Sequence, residues 1–463
     1  MGPLEVPADA YYGIHSLRAE QNFRLLGTGI HPRLIKSLAL VKKACAMANI
    51  RTGYLEERIG NAIISACDEI AGGSLHDQFI TDALQGGAGT SMNMNANEVI
   101  ANRAIELLGG DKGDYSVVNP LDHVNCSQST NDVVPTAVKL TAILLLSGAS
   151  QAMARLQGSL QEKEKEFADV LKVGRTETQD AVPITLGQEF SAWAQAVQRD
   201  WWRLYKVEER LRQVNLGGTA VGTGLNADRR YVFTVVETLR DLTGIGLARA
   251  ENMIDSTQNL DMFVEVSGML KAAATDLAKI SADLRLLSSG PRAGLQEIHL
   301  PELQAGSSIM PGKVNPVATE AVSQAAFQIM ANDSAITLCA MNGQLELNAF
   351  IPALAHNLFQ SLDLLTAAGN LLAEKCVKGI TADEAHCEEL LERSFTLVTA
   401  LAPYIGYDEA SNLAREAATT GKTIRELAIQ AGFFKPEELE IILSPREMTH
   451  PGIAGLGKEG VME

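Results

Sequence analysis

Aromatic side chains, cysteines and excess positive charge are all scarce in this chain, and each shortage removes a class of explanation. Phe, Trp and Tyr together make up 5% of the 463 residues. That is thin for a sheet-rich fold, whereas abundant Ala and Leu favour tightly packed helices. The six cysteines, Cys45, Cys67, Cys126, Cys339, Cys376 and Cys387, never form a C-x-x-C pair, which argues against a zinc cluster or a redox couple and fits a reducing cytoplasm. A formal charge of −17 repels nucleic acid and anionic membrane surfaces, so neither is expected as a partner. The eight histidines show no i, i+4 pairing with a supporting carboxylate, and no nucleotide fingerprint follows a strand pattern. Neither a metal nor a cofactor is expected. No basic, apolar and small-residue succession of a signal peptide opens the chain, and the longest apolar run, Ala142 to Leu146, is far too short to span a bilayer. These absences read as a soluble cytoplasmic protein without internal repeats or low-complexity tracts.

What is present is helical periodicity. Hydrophobic residues make up 46% and charged residues 21% of the chain, ordinary for a globular protein of two or three domains. From about Asp261 to Leu287, Val266, Met269, Leu270, Ala273, Leu277, Ile280, Leu284 and Leu287 recur at intervals of three and four until Ser288-Ser289-Gly290-Pro291 stops the pattern. Similar stretches over about 132–171, 187–214 and 314–340 predict helices of roughly 35 to 60 Å, and about five of them read as a bundle. Such long apolar stripes favour an oligomer over a monomer that satisfies itself completely. Shorter helices and Gly-rich loops precede about residue 130, and short charged helices follow about residue 386. The expected division is therefore 1–130, 131–385 and 386–463, in a mainly α fold.

Four polar segments carry the candidate chemistry. Gly306-Ser307-Ser308-Ile309-Met310-Pro311-Gly312-Lys313-Val314-Asn315-Pro316 sets two hydroxyls, a lysine and an amide in a loop hinged by Gly and Pro. Ile309, Met310 and Val314 are expected to tack that loop onto a core, freeing the polar residues for a ligand. In Gln85 to Glu98, a glycine loop feeds a helical pattern, an arrangement that brings backbone N–H groups to an anion. Val124 to Asp132 offers five successive hydroxyl and amide residues, Ser127 to Asn131, at the start of the 132–171 helix, more than one helix cap requires. Gly174 to Phe190 reads as a further polar loop opening a long helix. Taken singly, each of these is equally a turn or a cap.

Together with Gly217 to Asn226 and Ser289-Gly290-Pro291-Arg292, the four segments resemble the aspartase/fumarase superfamily along essentially the whole chain, and the glycine loop with Ser129-Thr130-Asn131 resembles its ammonia-lyase branch. The resemblance implies a three-domain fold with a central long-helix bundle, a homotetramer whose active sites each collect residues from three chains, and a small dicarboxylate or amino-acid substrate handled without a cofactor. It assigns Ser307 as the general base, with Lys313 helping to make it basic. Thr90, Ser129, Thr130 and Ser308 would hold the β-carboxylate of aspartate. Thr176, Lys313 and Asn315 would hold the α-carboxylate, and Asn131 would approach the amine. Glu177 departs from the family, in which His or Gln stands at this place; it either meets the substrate amine, repels a dicarboxylate, or turns to Arg175 or solvent. The implied reaction is elimination of ammonia from aspartate to fumarate. A fumarase releasing water, a lyase of N-substituted aspartates, and a helical oligomer without activity share the same scaffold.

Overall fold

The computed structural model of the chain describes residues 2–456. Four helices come first: α1 (Ile14–Asn22), α2 (Pro32–Thr52), α3 (Glu57–Gly72) and α4 (Thr90–Leu107). The ends of α2 follow from its sequence. His31 accepts from the Arg33 N–H, Pro32 fills the first turn where no N–H is needed, and Gly53 closes the helix in the left-handed conformation. Then come the 37-residue α5 (Thr130–Glu166), an antiparallel hairpin of β1 (Leu171–Thr176) and β2 (Gln179–Thr185), and α6 (Leu186–Val207). A short strand β3 (Gln213–Val214) runs parallel to β4 (Ala248–Arg249), with α7 (Arg229–Thr243) between them. After α8 (Met253–Gln258) and α9 (Asp261–Leu287), β5 (Ile298–His299) pairs antiparallel with β6 (Thr381–Ala382) around α10 (Val317–Met341) and α11 (Ile351–Leu371). The chain finishes on α12 (Glu384–Arg393), α13 (Val398–Ile405), α14 (Tyr407–Thr420), α15 (Ile424–Gln430), α16 (Pro436–Ile442) and α17 (Pro445–Met448).

The described residues group into two compact units. One holds the chain up to Gln151, with Asp200–Ala274 and Ala325–Thr366; the other holds Ala152–Arg199, Thr275–Gln324 and the chain from Ala367 onward. Within the first unit, α2 packs on α3 and α7, and α4 on α1 and α3. Glu98 of α4, fully buried, accepts from the backbone of Gly13, His15 and Ser16 and so caps α1. Polar clasps also join long helices inside this unit. Ser267 of α9 donates to Asp333 of α10 at 2.8 Å, and Asn332 of α10 donates to Gln360 of α11 at 2.9 Å. Within the second unit, Trp193 of α6 donates to Asp283 of α9 at 3.1 Å, and Arg155 of α5 to Asn370 of α11 at 2.9 Å. Leu391, Leu397, Leu401, Leu413, Ile424, Leu427 and Leu439 of the small terminal helices form an apolar cluster there that includes Val173 of β1.

The helical expectation holds: the periodic stretch at 261–287 is α9 to the residue, α10 lies within a few residues of its expected bounds, and α5 and α6 start where expected but end earlier, at Glu166 and Val207. One expectation fails. Gly174 to Thr185 is not a loop but most of a β-hairpin, because Val173, Pro183 and Thr185 bury alternate positions of a strand pair that a reading for helix caps passes over. Only α5 contains a stretch long and apolar enough to cross a membrane among the described residues, and 78% of that stretch is buried inside the fold. It is a core helix.

Candidate active site

In the first unit the donor triplet sits on the opening turn of α5. Proline at position 135 lacks an N–H, which leaves the carbonyl of Asn131 without its helical partner; the Asn215 side chain supplies the missing donor at 3.0 Å. Asp132, fully buried, accepts from the N–H groups of Ser129 at 3.0 Å, Gly217 at 3.1 Å and Thr219 at 3.0 Å, and so binds the triplet to the 217–226 loop. Burial pushes the Asp132 carboxyl up to about 6, although these N–H donors and the charge of Lys42 pull the other way. Lys42 is buried on α2 and donates to Asn125 and Gln128, both at 2.9 Å; burial brings its ammonium down to about 8. The Asn125 oxygen also receives the side-chain amides of Asn93 and Asn97 of α4.

This frame decides what the triplet offers. Thr130 Oγ1 accepts from Asn93 at 3.3 Å and Ser129 Oγ from the Asn131 N–H at 3.2 Å, so both hydroxyl protons remain for a ligand. The Asn131 amide donates to the Ala220 carbonyl at 2.7 Å, leaving its oxygen as an acceptor. Thr90 opens α4 behind the glycine loop, where Gly89 has φ 91° and a Cβ would sit 3.0 Å from Val134. Its hydroxyl currently donates to the Gly87 carbonyl at 2.7 Å. Holding a carboxylate requires that hydroxyl to rotate.

In the second unit the Ser-Ser loop closes on itself. Gly306 N–H donates to the Lys313 carbonyl at 2.9 Å, and Asn315 Nδ2 to the Gly306 carbonyl at 2.7 Å. The approach is tight enough that a Cβ on Gly306 would lie 2.3 Å from the Lys313 oxygen. Ser307 Oγ accepts two backbone N–H bonds, from Ile309 at 3.2 Å and Met310 at 3.0 Å. Donors aimed at that oxygen favour its anionic form. The loop is not tacked onto a core, however: Ile309 is 84% exposed, and Met310 and Val314 are exposed too. Its own backbone bonds and Asn315 hold it, so the apolar residues face outward. Ser308 and Lys313 are exposed, and Lys313 makes no side-chain hydrogen bond or ion pair among the described residues.

Thr176 ends β1, and Glu177 and Thr178 form the hairpin tip with φ 54° and 62°. Two left-handed residues in succession match the two-residue hairpin turn, at a steric cost for side chains other than Gly or Asn. Glu177 does not turn to Arg175. Arg175 Nη1 lies 2.8 Å from the buried carboxylate of Glu297, whose other oxygen is 3.2 Å from buried Lys172; Lys172 in turn reaches Glu189 at 2.8 Å. Burial raises the Glu189 carboxyl. No hydrogen bond joins the hairpin tip to the 306–316 loop among the described residues.

Two family models match the chain: one described as Lyase over residues 2–331, and one described as Fumarase C C-terminus over residues 397–450. The chain belongs to this lyase family. Aspartate ammonia-lyase of Bacillus subtilis (strain 168) is 50% identical to it over 455 residues, 98% of the chain and 96% of that protein. Aspartate ammonia-lyase of Escherichia coli (strain K12) is 46% identical over 454 residues, 97% and 95% of the two. A crystal structure of a Brucella melitensis fumarate lyase:delta crystallin bound to cobalt superposes with TM-score 0.94 at 49% identity, covering 96% of this chain and 97% of that one. Class II fumarase from Schistosoma mansoni gives 0.92 at 35% identity, with 97% of each chain covered. The lyase-family fold is thus the one the motifs implied.

Sequence reading missed the supports of the triplet. Lys42, Asn93, Asn97 and Asn215 were not singled out. The signal was a lysine on the apolar stripe of α2 that carries Leu34, Leu38, Val41 and Cys45, a place where a charge is either an error or a tether.

Proposed function

We propose that the chain is an aspartate ammonia-lyase, reversibly eliminating ammonia from L-aspartate to give fumarate through an enediolate with a serine base. One observation supports this reading above the others: Ser307 Oγ accepts two backbone N–H bonds within a self-closed loop. An unassisted serine is a poor base, and fixed donors on its oxygen are the means by which it becomes one. Ser307 takes the proton from the carbon next to the β-carboxylate. The electron pair moves into that carboxylate, where the hydroxyls of Thr90, Ser129, Thr130 and Ser308 meet the added charge; one such preorganised donor contributes roughly 3 to 4 kcal/mol. Thr176, Lys313 and Asn315 hold the α-carboxylate. Asn131, its amide oxygen left as an acceptor, receives the amine, which leaves as the double bond forms.

In this proposal the enzyme is a cytoplasmic homotetramer, and each active site draws residues from three chains. The sequence parts 1–130, 131–385 and 386–463 contribute respectively the glycine loop with Ser129 and Thr130 of the triplet, Asn131 with the Ser-Ser loop, and a small helical domain. Met1 and residues 457–463 lie outside the described residues. The reading is tested by following the ultraviolet absorbance of fumarate with purified protein and L-aspartate, then L-malate. Turnover of aspartate is expected; turnover of malate alone would replace this reading with a fumarase. A lyase of N-substituted aspartates is the second reading, favoured by Glu177 where the family has His or Gln.

A further inference from the structure

We propose that Glu177 is a specificity-determining residue: its carboxylate reads the charge of the amine, favouring ligands that carry an ammonium group and opposing the bare dicarboxylate. This rests on the assignment of Thr176 and Glu177 to the substrate site.

The hairpin carries the argument. Glu177 stands exposed at the tip, in a left-handed conformation fixed by the turn, and its carboxylate has no hydrogen bond or ion pair among the described residues. The cation nearest in sequence, Arg175, is committed elsewhere, 2.8 Å from Glu297, and Glu297 is fully buried with Lys172 on its other oxygen. Turning Arg175 outward to neutralise Glu177 would weaken the pairing of a buried carboxylate, which is strongly unfavourable. Glu297 therefore keeps the tip negative. A neutral Gln at this place would donate or accept hydrogen bonds without regard to ligand charge; a carboxylate does not. It makes a charge-assisted bond with an ammonium group and repels a second carboxylate brought near it. Aspartate carries an ammonium group and two carboxylates, whereas fumarate keeps the carboxylates and has lost the amine. The same side chain thus acts with opposite sign on the two sides of the reaction.

The test compares wild type with Glu177→Gln and Glu177→Asp, measuring KM for L-aspartate in elimination and KM for fumarate and for ammonium in amination. Glu177 supports no neighbour, so neither substitution removes a contact the hairpin needs. The expected result is that Glu177→Gln raises KM for aspartate and for ammonium roughly fivefold to tenfold and lowers KM for fumarate, while Glu177→Asp stays near wild type. A merely structural role would move all three constants together. Movement of aspartate and fumarate in the same direction, or of neither beyond about twofold, overturns the proposal. Wild-type protein that makes no fumarate from aspartate overturns the underlying assignment instead, and the two failures are told apart by the wild-type assay alone.

Discussion

Single atoms decide the chemistry proposed here, and two of them yield firm expectations. Ser307→Ala removes the oxygen on which the Ile309 and Met310 N–H groups converge. Turnover of aspartate should fall by about three orders of magnitude with the oligomer intact on size-exclusion chromatography, and near-normal turnover would remove Ser307 as the base. Asp132 gives a pH expectation. Its carboxyl is raised to about 6 by burial, so the folded chain binds that proton more tightly than the unfolded chain does. Its contribution favours folding below about pH 4 and is lost as pH rises through 6, a change of ~3 kcal/mol. The stability difference between wild type and Asp132→Asn in urea should shrink by about 2 kcal/mol from pH 4 to 7; a flat difference would contradict the burial argument. The 124–132 segment was legible as a candidate because hydroxyls and amides in unbroken succession exceed what capping needs, whereas the roles proposed for the site residues come from the family resemblance. Their supports were not, since nothing in the sequence says that Asn125 will collect Lys42, Asn93 and Asn97 at one oxygen.

At the level of elements, helices declared themselves and strands did not. An apolar repeat of three and four over 27 residues has few alternative readings, and α9 follows it. The six and seven residues of β1 and β2 are too short for alternation to stand out, and their Arg175 and Lys172 look solvent-seeking although both serve a buried carboxylate. Glu297→Ala should therefore destabilise the second unit by roughly 3 kcal/mol, seen as a lower unfolding midpoint, because it takes the partner from half-buried Arg175 and leaves buried Lys172 with Glu189 alone. In the Ser-Ser loop, Gly306→Ala sets a methyl group against the Lys313 carbonyl. We expect a drop in turnover of about a hundredfold and faster proteolytic cleavage between 309 and 313, with unchanged helix content by circular dichroism.

For the molecule as a whole, α10 bears an apolar face that nothing covers among the described residues. Phe327, Leu338 and Met341 recur at helical spacing and remain exposed, Met341 by 70%. If four copies bury that face, Leu338→Arg should shift sedimentation toward smaller species. Activity should fall with it, since sites built from several chains cannot survive dissociation. A fully active tetramer carrying that arginine would contradict the proposed assembly.

The amide borrowed by Pro135 also bears on how this protein can change. A missing N–H at one position is made good by a side chain 80 residues further along, so the two positions are not independent in their effects. Removing the asparagine alone strands a carbonyl; removing the proline first restores the ordinary helical bond and leaves the asparagine only its bond to Thr257. Lineages that drift at one of these sites should therefore drift at the other, and in that order.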